Sequence, residues 1–221
     1  MLLLAFDTAT PAVTAALHDG SRVLAADTVV SSRRHGELLA AMIEKVLADG
    51  GAARGDLDAV AVGTGPGPYT GLRAGLVTAR VLSSALGVPA VGVCTLDVIA
   101  RAAAPAAGGR DFIVAADARR KEGYWARYDP AARRIRGPAV SQPAELAAAE
   151  LTEPCPVAGE GPVLYPELGG DPIRPRYPEA ASLAEIALQS LAEHLPDQPP
   201  EPLYLRRPDA REPGKPKRVT A

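Results

Sequence analysis

The sequence GTGPGPYTGLR at residues 63–73 joins a predicted strand, Leu57–Val62, to a predicted helix, Thr70–Leu86. Such a glycine-rich turn can hold an anion, because backbone N–H groups and the helix N-terminus point at one place. Pro66 and Pro68, however, have no N–H group to donate. Neither the Walker spacing nor the dinucleotide-binding fingerprint is present. We therefore predict a rigid loop that does not grasp phosphate.

Hydrophobic residues on both sides of this loop recur with strand or helix spacing. Three predicted strands come first, and helices and strands alternate after them. This order predicts an α/β domain in which a mixed sheet is covered by helices. The predicted strands are Leu2–Asp7, Ala12–Leu17, Val23–Val30, Leu57–Val62 and Pro89–Val93, and the predicted helices are His35–Leu47, Thr70–Leu86 and Thr95–Ala104, the last with Thr95 as its N-cap.

A second unit is predicted after the break at Pro105–Gly109, where the alternation restarts. The prolines between residues 151 and 181 prevent a firm assignment there. We predict subdomains at residues 1–106 and 107–198 and a flexible, proline-rich basic tail at 199–221. The predicted elements of the second unit are strands Phe112–Ala116, Gly123–Tyr128 and Arg134–Val140 and helices Gln142–Glu150 and Ser182–Leu195, the last with Ser182 as N-cap and Glu185 completing a capping box.

The length and composition of the chain limit the kinds of protein that it could be. The chain has 221 residues, of which 47% are hydrophobic, so it can bury a substantial core. Its apolar runs are strand-sized, which predicts a cytoplasmic protein without a membrane span. Cys94 and Cys155 are too isolated for a disulfide framework or a zinc site. The chain has 26 acidic and 24 basic residues and few aromatics, so direct tight RNA binding is not expected. The basic tail could still act as an arm that contacts RNA.

Two short segments contain candidate functional residues. Asp7 and Thr10 follow the first predicted strand, where they could hold a metal and a phosphate, or form an Asx turn that closes the hairpin. His35 opens a helix, but a second ligand on the same helix face would have to stand at Leu39. We therefore predict no metal site. No catalytic triad pattern is found around the histidines.

The helix after the loop places Gly71, Gly75 and Ala79 on one line. A glycine inside a helix costs about 1 kcal/mol relative to alanine. This cost is usually offset by close approach of another backbone, either within the fold or across an interface, and the sequence leaves both open. The charged segment Asp117–Glu122 lies between two predicted strands and is typical of a solvated hairpin tip.

Five segments together resemble one family, the TsaB (YeaZ) family of tRNA threonylcarbamoyladenosine biosynthesis proteins. They are LAFDTA at 4–9, RHGELL at 34–39, the loop at 63–73, DARRKE at 117–122 and YLR at 204–206. The resemblance implies the actin-like, Hsp70-like ATPase (ASKHA) fold, with two ribonuclease-H-like subdomains whose mixed sheets are flanked by helices.

The resemblance also implies a function. Members of this family support threonylcarbamoylation of the adenosine beside the anticodon in tRNAs that read codons beginning with A, without catalysing it. The implied partners are a catalytic TsaD-type paralogue, a TsaE-type ATPase and a second copy of the chain, with tRNA reached only through the complex and no cofactor. The implied pairing surface lies on the first two helices and comprises His35, Leu38, Leu39, Met42, Ile43, Tyr69, Gly71, Arg73, Leu76, Val77 and Arg80.

An exposed apolar helix pair would suit this pairing, and a charged residue at Leu76 or Met42 would then prevent association and leave the fold intact. The alternative is a stand-alone nucleotide-binding ATPase or kinase. Its site, which would be vestigial in a scaffold, comprises Asp7, Thr8, Thr10, Gly159 and Gly161. The peptidase label attached to relatives ranks last, because no nucleophile and base pair is present for it.

Overall fold

The computed structural model describes residues 1–31, 34–151, 153–193 and 199–206. Its first sheet has five strands in the order β3-β2-β1-β4-β5, of which β1 pairs antiparallel with β2 and parallel with β4. The mixed sheet expected from the sequence is therefore confirmed. The strands are β1 Leu3–Asp7, β2 Ala12–His18, β3 Val23–Val30, β4 Ala59–Gly63 and β5 Ala90–Val93.

The second sheet also has five strands, in the order β10-β9-β6-β7-β8. An antiparallel meander, β6-β7-β8, is extended by two short parallel strands from the proline-rich region that the sequence left unassigned. The strands are β6 Phe112–Asp117, β7 Gly123–Tyr128, β8 Arg134–Ser141, β9 Pro156–Ala158 and β10 Asp171–Pro172.

Six α-helices cover these sheets within the described residues, together with short 3-10 helices at Arg54–Asp56, Ala104–Ala107 and Pro166–Leu168. Residues of β1 alternate between two cores: Leu4 and Phe6 face α1 and α2, and Leu3 and Ala5 face α6. Helix α3 lies between the sheets, and α4 and α5 cover the outer face of the second sheet. The helices are α1 His35–Asp49, α2 Tyr69–Leu86, α3 Thr95–Ala103, α4 Pro143–Glu150, α5 Gly161–Leu164 and α6 Ala180–Ala192.

The N-caps of two helices differ from the sequence prediction. Helix α3 has Cys94 at its N-cap position, and the hydroxyl of Thr95 donates to a distant carboxylate instead of capping the helix. Helix α6 begins at Ala180, whose N–H donates to the hydroxyl of Thr14 on β2, and Ser182 is buried as the third residue of the helix. Both predicted caps were wrong because a residue far away in sequence supplies or takes the hydrogen bond.

The packing also crosses the predicted boundary between residues 106 and 107, which stays a prediction. Helix α6 was assigned by sequence to the second unit, yet Leu183, Ala184 and Ala187 pack on the first sheet. Helix α3 was assigned to the first unit, and Leu96 and Ile99 pack into the second core. The two helices therefore join the subdomains through apolar contacts.

The C-terminal segment 199–206, which we call the strap, is packed against the protein. The N–H of Leu203 donates to Thr64 O at 2.8 Å, and the carbonyl of Pro199 lies over Gly92 of β5. These contacts attach the first residues of the predicted tail to the protein, and its predicted flexibility stays a prediction. Residues 207–221 lie outside the described part of the chain. In the described part, no helix has the length and apolar character needed to cross a membrane.

Candidate functional site

Asp7, at the end of β1, has no solvent-exposed surface. Its Oδ1 accepts the N–H of Ala9 at 2.6 Å, and its Oδ2 accepts the hydroxyl of Thr95 at 2.7 Å. A methyl group at Gly63 would overlap the carboxylate, so this glycine provides the space in which Asp7 lies. Of the two roles that the sequence left open, the structure places Asp7 in an Asx turn.

Burial has an electrostatic consequence for this carboxylate. Removal of Asp7 from water raises its pKa from 3.8 to about 6, and the N–H of Ala9 and the hydroxyl of Thr95 offset part of that rise. The folded-state pKa therefore lies above that of the unfolded chain. The folded state binds more protons between these two values, so the contribution of Asp7 to stability declines as pH rises through this window.

Replacing Asp7 with asparagine is expected to remove this pH dependence. The free energy of unfolding of Asp7→Asn, minus that of the wild type, should rise by about 2 kcal/mol between pH 4 and pH 7, most of the effect of a shift of roughly two pKa units. Urea denaturation across this range measures it. Asp19→Asn is the control, because hydrogen bonds lower the pKa of Asp19 and its titration falls below the range. A constant difference for Asp7→Asn would contradict the burial argument.

The glycine-proline loop is fastened directly to this turn. Gly65 N–H donates to the Thr95 hydroxyl at 3.1 Å, and Thr95 N–H donates to Gly65 O at 2.8 Å. The N–H of Thr64 is also used, since it donates to Val93 O. Gly67 lies against the backbone of Ala9, whose carbonyl oxygen a methyl group would overlap. The N–H groups of Thr64 and Gly65 are thus bonded inside the protein, and the prolines add no further donors.

The glycine line of α2 faces the end of β1. The hydroxyl of Thr8 donates to Gly71 O at 2.7 Å and accepts the N–H of Gly75 at 3.1 Å. A methyl group at Gly71 would come within 2.5 Å of Thr8 O. The close backbone approach that offsets the cost of these helical glycines therefore occurs within the fold.

The residues of the predicted nucleotide site do not surround one cavity. Thr10 and Glu160 line a gap of about 10 Å³ between the two subdomains. Gly159 and Gly161 lie against Ala115 of β6, where added methyl groups would overlap it or press closely on it. Asp7 is sealed beneath the loop. Protein thus fills the cleft where Thr10 faces Glu160.

A larger cavity, of about 620 Å³, opens beside the first turns of α1 and α2. His35 Nε2 lies 3.1 Å from Thr10 O, and Arg34 Nη2 lies 2.7 Å from Glu37 Oε2. Among the described residues, no group of three His, Cys, Asp or Glu side chains is arranged to hold a metal. The polar side chains that line the cavity are Thr8, Thr10, Arg34, His35, Glu37, Thr70 and Arg119.

The expected pairing residues divide into two groups. One group is buried, because the apolar stripe of each helix faces the sheet. The expectation of an exposed apolar helix pair was wrong for these residues. Charged substitutions at Met42 or Leu76 would therefore damage the core and could not report on pairing alone. The buried residues are Leu39, Met42, Ile43, Gly71 and Leu76, and the half-buried or exposed ones are His35, Leu38, Tyr69, Arg73, Val77 and Arg80.

The outer face of α2 presents a second apolar stripe. Val77 and Val81 are 58% and 59% exposed, and Arg73 and Arg80 flank them. A shallow groove of about 400 Å³ runs along this face. Sequence reasoning missed Val81, which the four-residue spacing from Val77 could have revealed. The groove is lined by Val77, Arg80, Val81, Ser84 and Ala85.

Comparison with known sequences gives three matches of note. The family model described as TsaD, tRNA N6-adenosine threonylcarbamoyltransferase, matches residues 29–163. An uncharacterized protein of Mycobacterium tuberculosis, Rv3421c, is 43% identical over 216 residues, which are 95% of this chain and 93% of that protein. The tRNA threonylcarbamoyladenosine biosynthesis protein TsaB of Escherichia coli is 37% identical over 129 residues, which are 58% of this chain and 55% of that protein.

Comparison with solved structures agrees. YeaZ from Pseudomonas aeruginosa has a TM-score of 0.80 and 28% identity, covering 92% of this chain and 99% of that one. A P. aeruginosa protein with similarity to peptidase YeaZ has a TM-score of 0.81 and 29% identity, covering 93% and 99%. The expected actin-like ATPase fold is confirmed. From the family match over more than half its length and the likeness to YeaZ, the chain belongs to the TsaB (YeaZ) family of tRNA threonylcarbamoyladenosine biosynthesis proteins.

Proposed function

We propose that this protein is a non-catalytic cytoplasmic subunit required for threonylcarbamoylation of the adenosine beside the anticodon in tRNAs reading codons that begin with A. It pairs with and activates a catalytic TsaD-type paralogue, together with a TsaE-type ATPase. In the absence of the paralogue it pairs with a second copy of itself. It reaches tRNA only through the complex.

One contrast carries the proposal: the polar turn at the end of β1 is sealed, whereas the outer face of α2 is apolar and open. Asp7 has no exposed surface and already accepts two hydrogen bonds, so it has no direct access to a substrate. Val77 and Val81, by contrast, place two large apolar side chains in water. Exposed apolar patches with a polar rim are typical of protein interfaces.

The docking surface that we propose is the outer face of α2 with the start of α1. Val77 and Val81 form its apolar centre, and Arg73 and Arg80 form a basic border. A partner that presents apolar side chains surrounded by carboxylates would complement it. Tyr69 lies in the first turn of α2, and His35 and Leu38, both half-buried, lie in the first turn of α1.

Reconstitution tests this function. Purified TsaD-type and TsaE-type proteins from the same organism, the threonylcarbamoyl-adenylate synthase and an A-decoding tRNA are combined with and without this chain, and modified nucleoside is quantified by mass spectrometry. Product is expected only when this chain and the paralogue are both present. Undiminished product without this chain would contradict the requirement. Product without the paralogue would contradict the non-catalytic role.

A second candidate is a stand-alone nucleotide-binding ATPase or kinase, favoured by the 620 Å³ cavity. This volume can hold a nucleotide, and Arg34 and Arg119 line it. Calorimetric titration of the isolated chain with Mg-ATP separates the candidates. Our proposal expects millimolar binding or none. Micromolar binding that is weakened by Arg119→Ala and not by the control Arg22→Ala, at an exposed hairpin arginine, would favour the second candidate.

A further inference from the structure

The Tyr204-Leu205-Arg206 segment carried part of the family resemblance without an assigned role, and the structure shows what it contacts. On the first subdomain, the strap lies beside the outer face of α2. Arg73 Nε donates to the Tyr204 hydroxyl at 3.1 Å, and Arg80 Nε donates to Pro200 O at 3.2 Å. The rings of Tyr69 and Tyr204 are 4.9 Å apart. The strap therefore fixes the positions of both arginines that border the proposed docking surface.

The other end of the strap holds the second subdomain. Leu205 packs against the second core, to which α3 and the second sheet contribute. Arg206 Nη1 donates to Ala118 O at 3.4 Å, and its guanidinium forms an ion pair with Glu122. Ala118 and Glu122 belong to the hairpin tip that connects β6 to β7, which we call the basic hairpin, residues 117–122.

One residue, Arg206, makes hydrogen bonds to both subdomains. Arg206 also accepts the Tyr69 hydroxyl on its carbonyl oxygen at 3.1 Å, so the backbone of the strap is bonded to the first turn of α2 while its side chain is bonded to the basic hairpin. A shift of the hairpin away from the first subdomain would have to break one of these two attachments. The filled part of the cleft, lined by Thr10 on one side and Asp117 on the other, includes Pro68 and Arg119, the chain neighbours of Tyr69 and Ala118.

We propose that the Tyr204-Leu205-Arg206 segment is a clamp that couples the first turn of α2 to the basic hairpin, keeping the cleft closed and the docking surface in one arrangement. Tyr204 and Arg206 act as positioning residues. The relevance of the clamp to partner binding rests on the proposed function, whereas the coupling of the two subdomains does not.

Hydrogen–deuterium exchange of the isolated chain tests the coupling. Arg206→Glu places like charges together at Glu122, and it is expected to raise exchange about fivefold or more both in the basic hairpin and in the first two turns of α2. The double variant Arg206→Glu with Glu122→Arg restores opposite charges and should return both regions to near wild-type rates. Glu201→Ala, at an exposed residue of the same strap, is the control and should change neither region.

Unchanged exchange in α2 with Arg206→Glu, or no recovery in the double variant, would overturn the clamp. A second measurement, the affinity of each variant for the TsaD-type protein, is expected to show a loss of about fivefold for Arg206→Glu and recovery in the double variant. If the wild-type chain fails to bind that protein, the proposed function fails while the exchange result still decides the clamp. Wild-type binding with an affinity that Arg206→Glu leaves unchanged would overturn the role of the clamp in docking.

Discussion

Val77→Glu is expected to weaken association with the TsaD-type partner by at least about 30-fold, the effect of losing a central apolar contact of 2 kcal/mol or more. Val77 is 58% exposed, so a glutamate there stays in water in the isolated chain and the melting temperature should change little. In the complex, the same carboxylate would be buried without a partner charge. Titration calorimetry measures the affinity, and gel filtration measures the expected loss of self-association.

The control has to separate interface effects from general surface effects. Val163 on α5 is 56% exposed and lies on the second subdomain, so Val163→Glu makes the same change away from the docking surface and should leave binding intact. Met42→Glu is the opposite case. Its side chain is 4% exposed in the first core, and this variant should fail to fold. Wild-type affinity for Val77→Glu would show that the partner docks elsewhere.

The contrast between Val77 and Met42 shows where sequence reasoning succeeds and where it fails. The spacing of Leu39, Met42, Ile43 and Val46 correctly predicted a helix with one apolar stripe. That spacing cannot tell whether the stripe faces a sheet or another protein, because both uses have the same helical period. In this protein the apolar stripe of α1 packs against the first sheet. We therefore propose the second, narrower stripe, which begins at Val77, as the docking surface.

The fold was largely predictable because its signals are local. Strand and helix periods identified both sheets' main strands and five of the six helices found in the described residues, and the glycine-proline loop correctly marked a strand-to-helix turn. The exceptions depend on distant residues. Ser182 begins a good capping-box sequence, yet α6 starts earlier because Thr14 accepts the hydrogen bond of Ala180. No pattern within α6 contains that information.

The strap shows that amino-acid composition, like local sequence patterns, does not report contacts with residues distant in the sequence. A proline-rich, basic segment usually cannot bury enough apolar surface to become ordered. Residues 199–206 nevertheless make specific contacts, such as those of Tyr204 with Tyr69 and Arg73, that composition does not register. The burial of Asp7 was likewise undecidable from spacing alone, because it depends on Thr95 and Gly63 meeting in space.

Gly67→Ala is expected to destabilise the protein by about 3 kcal/mol, the upper range for forcing an extra methyl group into packed structure. The added carbon would overlap the carbonyl oxygen of Ala9, a backbone atom that cannot rotate away. The loop would have to lift from the Asp7 turn, with loss of its hydrogen bonds to Thr95. For a chain of this size the melting temperature should fall by about 10 °C. Differential scanning calorimetry at neutral pH measures the change.

Gly36→Ala is the matched control, because the same methyl group at Gly36 in the first turn of α1 meets no atom within 4 Å. Alanine is the better helix former, so the melting temperature should be unchanged or slightly higher. The difference between the two variants isolates the packing of the loop from any general effect of losing a glycine. If Gly67→Ala has the same melting temperature as the wild type, the loop can accommodate the extra methyl group above the Asp7 turn. The cleft would then be able to open, and the sealed carboxylate could no longer serve as the argument for a non-catalytic subunit.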